Sequence, residues 1–158
     1  MAEIKSTVQH LSPVRKSVIV SRTPEEAFEI FTKRTSSWWP LSKYSLFQAN
    51  SVACEIDPRV GGLIQETSKS GERATWGTVR TWDPPNRFVM SWHPGGDAST
   101  ATELELRFVR VPEGTRVELE HRDWAKLGAK AEAARKDYDG GWVEVLESAF
   151  KKGCERKL

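Results

Sequence analysis

The sequence predicts an α+β fold in a helix-grip arrangement: an antiparallel sheet with a long C-terminal helix lying across it, and short helices after the first strand. Three observations carry this. Between Val52 and His121, apolar and polar residues alternate in runs broken by turn signals about every ten residues, the pattern of an antiparallel meander. Near the C-terminus Trp142, Val145, Leu146, Ala149 and Phe150 recur at helical spacing, while Glu144, Glu147, Lys151 and Lys152 face away. The chain has 158 residues, the length of one domain. It can bury roughly 70% of its unfolded surface and needs no disulfide or metal to fold.

Residues 1–12 read as a polar leader, 13–153 as the domain and 154–158 as a polar tail. Val14, Val18 and Val20 share one face of the first strand by period-two alternation. Thr23-Pro24-Glu25-Glu26 is then a helix start. Thr23 caps, Pro24 occupies a position whose N–H would be unpaired anyway, and Glu26 completes a capping box. Ala27, Ile30 and Phe31 follow at helical spacing to about Lys33, a helix too short to persist without docking. Trp38-Trp39-Pro40 forms a short connection.

Val52, Cys54 and Ile56 alternate with Ala53 and Glu55 in the next strand, and Pro58-Arg59-Val60-Gly61-Gly62 turns the chain. Strands are expected over 63–68, 75–82 and 87–93, the last with Phe88, Met90 and Trp92 on one face. Trp76 and Trp82 are expected to share a face with Thr78 and Arg80. Thr102, Leu104, Leu106 and Phe108 then face inward, as do Val117, Leu119 and His121. Glu103, Glu105, Glu118 and Glu120 fall on the solvent face, where Arg107 and Arg116 offer cross-strand partners. Gly140-Gly141 precede the C-terminal stripe and allow close approach to the sheet.

Composition excludes several classes. Lys and Arg total 24 against 22 Asp and Glu, a formal net charge of +2 with the basic residues scattered, which is no nucleic-acid footprint. No apolar run nears the roughly 20 residues of a membrane span, and Met1-Ala2-Glu3-Ile4-Lys5 lacks the layout of a signal peptide, so a cytoplasmic location is expected. Cys54, Cys154, His10, His93 and His121 have no metal-ligand spacing; no metal and no cofactor are expected. No glycine-rich stretch opens a helix as a phosphate loop does, and no Ser lies in a nucleophile-elbow context, so no catalytic residue is assigned. The unusual number is seven Trp, each with about 150–250 Å² of surface to bury or to offer a ligand.

Five segments, in order, resemble one family. They are Thr23-Pro24-Glu25-Glu26-Ala27-Phe28; Pro58-Arg59-Val60-Gly61-Gly62; Gly77-Thr78-Val79 with Asp83-Pro84-Pro85-Asn86-Arg87-Phe88 and Ser91-Trp92; Gly114-Thr115-Arg116-Val117-Glu118-Leu119-Glu120-His121; and Gly140-Gly141-Trp142. Over roughly residues 14–152 the chain resembles the START/SRPBCC helix-grip superfamily, in the branch of activators of heat-shock-protein-90 ATPase and their homologues. The resemblance implies a curved antiparallel sheet gripping the long C-terminal helix, with a cavity between them that in this superfamily often holds apolar small molecules. It also raises a chaperone partner and a stress-response role. A shared fold does not by itself decide the role.

The expected cavity wall is Trp76, Met90, Trp92, Leu104, Leu106, Val117, Leu119, His121, Trp142 and Leu146, with Trp38 and Trp39 at the mouth. Each has a plainer reading as core. Trp side chains are bulky enough to fill the gap, and His121 can be a buried histidine bonded within the fold. The reading reached is non-enzymatic binding of a small apolar or aromatic molecule. A chaperone-interacting module and a cyclase- or hydrolase-like enzyme using the same cavity are the alternatives. No nucleic acid or membrane span enters it, and a homodimer patch built on the tryptophans is compatible with it.

Overall fold

The computed structural model describes residues 11–156. Of the expected leader only residues 11 and 12 lie within this range, and of the expected tail only 154–156. Seven strands run β1 Val14–Val20, β2 Ser51–Ile56, β3 Leu63–Ser68, β4 Arg73–Asp83, β5 Arg87–Trp92, β6 Thr102–Val111 and β7 Gly114–Arg122. They form one sheet in the order β1-β7-β6-β5-β4-β3-β2, with every pair antiparallel. Consecutive strands from β2 to β7 are neighbours because each turn is too short for a crossover. β1 completes the sheet by pairing with β7, Val14 opposite His121 and Val18 opposite Val117.

Helix α1, Pro24–Lys33, starts as its sequence predicts. Glu26 N donates to Thr23 Oγ1 at 3.1 Å, and Thr23 N donates to the Glu26 carboxylate at 3.0 Å. Its buried face carries Phe28 and Phe31, and Phe28 meets Phe88 and Phe108 edge-on at 5.6 and 5.0 Å. The Trp38-Trp39 connection is partly helical, with a short α2 over Thr35–Trp38.

The C-terminal helix is longer than expected. After 3-10 turns over Trp124–Lys130 come α3, Ala131–Trp142, a π-helical stretch, Val143–Phe150, and α4, Lys151–Glu155. Gly140 and Gly141 therefore lie inside the helix rather than at its entry. Residues 131–136, Ala-Glu-Ala-Ala-Arg-Lys, are all strong helix formers, and docking outweighs the roughly 1 kcal/mol that each glycine costs. The close approach that Gly141 permits is to Tyr44: a Cβ there would stand 3.4 Å from the ring. The predicted stripe is correctly phased, with Trp142, Val145, Leu146 and Phe150 buried and Glu144, Glu147, Lys151 and Lys152 exposed.

Three faces differ from simple alternation, each for a local reason. A β-bulge between Ser51 and Ala53 turns Val52 outward, away from buried Cys54 and Ile56. Two irregularities in β4 leave Trp76 and Arg80 as extra residues, so Trp76, Val79 and Trp82 all reach the core side while Arg80 stays exposed. Glu105 is not on a wet surface but 3% exposed. Arg87, Arg107 and Arg122 all bond it, at 2.7–3.0 Å. Burial pushes its carboxyl up, but the three guanidinium partners, Arg107 foremost, override this and hold it at about 2. Cys154 is buried within α4.

Candidate functional site: an aromatic cavity under the C-terminal helix

A cavity of about 400 Å³ opens between α3, the segment 39–46 and the ends of β4 and β5. Its wall is mainly aromatic: Trp39, Tyr44, Trp76, Trp92, Tyr138 and Trp142, with Leu46, Pro94 and Val145 beside them. The tryptophans support one another. Ring centroids lie 5.2 Å apart for Trp39–Trp76, 5.6 Å for Trp76–Trp92, 5.7 Å for Trp92–Trp142 and 5.9 Å for Trp39–Trp142. Tyr138 stacks on Trp142 at 6.0 Å. Such rings present flat apolar surface at little entropic cost.

Trp142 is held from behind. Its indole N–H donates to His121 Nδ1 at 3.0 Å, so the His121 proton sits on Nε2, 2.7 Å from Thr102 Oγ1. Thr102 in turn donates to the Trp92 carbonyl at 3.1 Å. His121 is fully buried, and burial pushes it down to about 3, so the ring is neutral in the fold. Both ring nitrogens are engaged, and the imidazole lies behind the cavity wall.

The opposite wall hangs from Glu66. β3 places Ile64, Glu66 and Ser68 on the same buried face, so a carboxylate enters an otherwise apolar interior. Glu66 Oε1 accepts from Leu46 N and Trp76 Nε1, and Oε2 from Phe47 N, all at 2.9 Å. Burial alone would raise its pKa; the backbone N–H groups of Phe47 and Leu46 reverse that and hold it below the ordinary carboxylate value. One side chain thus ties the 45–47 turn to a cavity tryptophan. On the outside, Lys43 Nζ pairs with Glu144 at 2.9 Å and joins the same segment to the C-terminal helix. Trp39 Nε1 donates to Tyr44 O at 2.8 Å, closing the segment on itself.

Of the residues expected at the cavity, Trp39, Trp76, Trp92 and Trp142 line it. Met90, Leu104, Leu106, Val117, Leu119 and Leu146 are packed in the core between sheet and helices, at most 2% exposed. Trp38 is buried as well, donating to Ile30 O at 2.9 Å. The sequence reading did not name Tyr44, Leu46, Glu66, Tyr138 or Val145 for the wall or its support. Signals existed for two of them. Glu66 alternates with Ile64, and the Ala-rich run before Tyr138 has helix propensity.

Among the described residues no cluster of His, Cys, Asp and Glu is arranged to hold a metal ion. Burial raises both thiols, Cys154 to about 12, so neither is a ready nucleophile. Among the same residues no helix is long and apolar enough to cross a membrane. The site offers flat apolar contact with a few polar groups at the rim, Lys43 and Asp137 among them.

The curled sheet, the long gripping helix and the cavity between them define a START-like helix-grip protein. The chain belongs to the family of activator of Hsp90 ATPase homolog 1-like proteins, whose profile matches residues 21–152. It is similar to a solved anthrahydroquino-γ-pyrone synthase, Txn09, at 33% identity, covering 92% of this chain and 98% of that one with a TM-score of 0.64. A Mesorhizobium loti protein shares the fold at 14% identity and a TM-score of 0.68, covering 92% of this chain and 98% of that one. So does an AHSA1-like protein of Aeromonas hydrophila, at 16% identity and 0.64, covering 90% and 92%. No curated protein matches the sequence.

Proposed function

We propose that this protein takes a flat, largely apolar aromatic molecule into the cavity beneath its C-terminal helix. The observation that carries the reading is the wall itself: four tryptophans and two tyrosines around about 400 Å³. That volume is within the usual pocket range of about 300–1,000 Å³, and the lining is predominantly apolar, as small-molecule sites are. Seven Trp did not fill the gap.

A second reading, ring-forming chemistry on such a ligand, is favoured by the 33% identity to a protein named as an anthrahydroquino-γ-pyrone synthase. In that case the cavity would act chiefly by holding a flexible precursor in a closing geometry while excluding water. A chaperone-directed role is supported by the family's description alone.

The test is titration with a tricyclic aromatic ketone, 9-fluorenone, read by thermal shift and by equilibrium dialysis. Binding should saturate at one molecule per chain and raise stability by about 2.7 kcal/mol at 100 times Kd. Fluorenone and larger planar aromatics that neither bind nor shift the melting temperature would remove the reading.

A further inference from the structure

The cavity wall carries an indole donor with no acceptor among the described residues. Three of its four indole N–H groups are taken: Trp39 by Tyr44 O, Trp76 by Glu66 and Trp142 by His121. Lys43 is engaged by Glu144, and Ser45 bonds Leu41 O and Gln48 N. Trp92 Nε1 is buried without an acceptor among the described residues, although its side chain lines the cavity. Buried donors without partners are few in native proteins, and each calls for a reason. The Tyr138 side chain lies on the same wall. Burial raises the pKa of this phenol while the Trp92 side chain pulls it the other way, and the phenol keeps its proton at neutral pH.

We propose that Tyr138 and Trp92 form the recognition point for a carbonyl oxygen, of ketone or quinone type, on the bound aromatic molecule. Tyr138 donates its hydroxyl proton to the ligand oxygen. The Trp92 N–H, unanswered among the described residues, is the second donor to that oxygen. The other indole donors are already committed, so this one point fixes which way round a flat ligand lies. The assignment rests on the ligand-binding reading above and narrows it to one functional group.

The experiment compares fluorene with 9-fluorenone, the same tricyclic skeleton without and with a carbonyl, by equilibrium dialysis. Transfer from water favours the hydrocarbon, so apolar burial alone ranks fluorene first. The proposal expects the reverse, with fluorenone bound more tightly. Tyr138→Phe, which removes one oxygen and leaves the ring stacked on Trp142, should weaken fluorenone by about tenfold and leave fluorene unchanged. An unchanged melting temperature for the variant confirms an intact fold. If wild-type protein binds both but does not prefer fluorenone, or if Tyr138→Phe weakens both alike, the recognition point is wrong while ligand binding stands. If neither probe binds, the recognition point and the reading beneath it fall together.

Discussion

Replacing Glu66 by glutamine should destabilise the protein by about 2–4 kcal/mol at neutral pH. The estimate follows from the geometry. Three donors converge on the carboxylate, two at Oε1 and one at Oε2, each at 2.9 Å. Glutamine keeps one oxygen. With that oxygen placed to serve Leu46 N and Trp76 Nε1, the amide NH₂ points at Phe47 N, and one buried donor is orphaned at a cost of about 1–3 kcal/mol. The two surviving bonds lose their charge assistance, roughly another 0.5–1 kcal/mol each. Relief of a desolvated charge offsets part of the total. Urea denaturation followed by tryptophan fluorescence reads the difference, and pH adds a second check. The folded pKa of Glu66 lies below the ordinary value, so its contribution is complete above the unfolded value of about 4.3. It is lost as pH falls through the folded value. The gap between wild type and Glu66→Gln should therefore close in acid. A variant within 0.5 kcal/mol of wild type at pH 7, or a gap that persists unchanged in acid, would refute the account of Glu66 as the anchor of the 45–47 turn.

Two further outcomes follow from the helix and from His121. Leu146→Ala should cost about 2–5 kcal/mol and Glu147→Ala less than about 0.5, because Leu146 is fully buried and Glu147 exposed; equal urea midpoints would show the π-helical stretch to be misphased. His121 is neutral in the fold, with a pKa near 3 against the ordinary 6.5, so the unfolded chain protonates first. Its contribution is whole above about pH 6.5 and declines below it, by up to about 1.4 kcal/mol per pH unit until about pH 3. The stability difference between wild type and His121→Gln should shrink by about 1.6 kcal/mol between pH 6.5 and pH 5. A difference independent of pH would show that His121 is not the group titrating.

Local patterns were sufficient for the elements. Thr23-Pro24-Glu25-Glu26 encodes its own capping box, and the 142–150 stripe encodes its own buried face, because both depend on side chains within one or two turns of each other. The alternation in β6 and β7 likewise reports which face is inside, since burial acts on every second residue. Where bulges intervene, as at Val52, Trp76 and Arg80, alternation misleads. A bulge is decided by the pairing of two strands and leaves no period in either one.

The cavity shows the division most clearly. The abundance of tryptophan and the approximate place of the pocket were legible from the sequence, and Trp39, Trp76, Trp92 and Trp142 do meet there. Which large side chains wall an opening and which simply fill the core was not legible. Met90, Leu104 and Trp92 lie on neighbouring strands with the same inward polarity, yet only Trp92 lies at the sheet's end where the helix stands off. That depends on where α3 begins, how the sheet curls, and how Glu66 and Lys43 pin the 39–47 segment. These are contacts between residues 20 and 101 positions apart. Sequence periodicity registers only the solvent on either side of an element; the space left between elements is set by how they pack, and only the tertiary structure decides it.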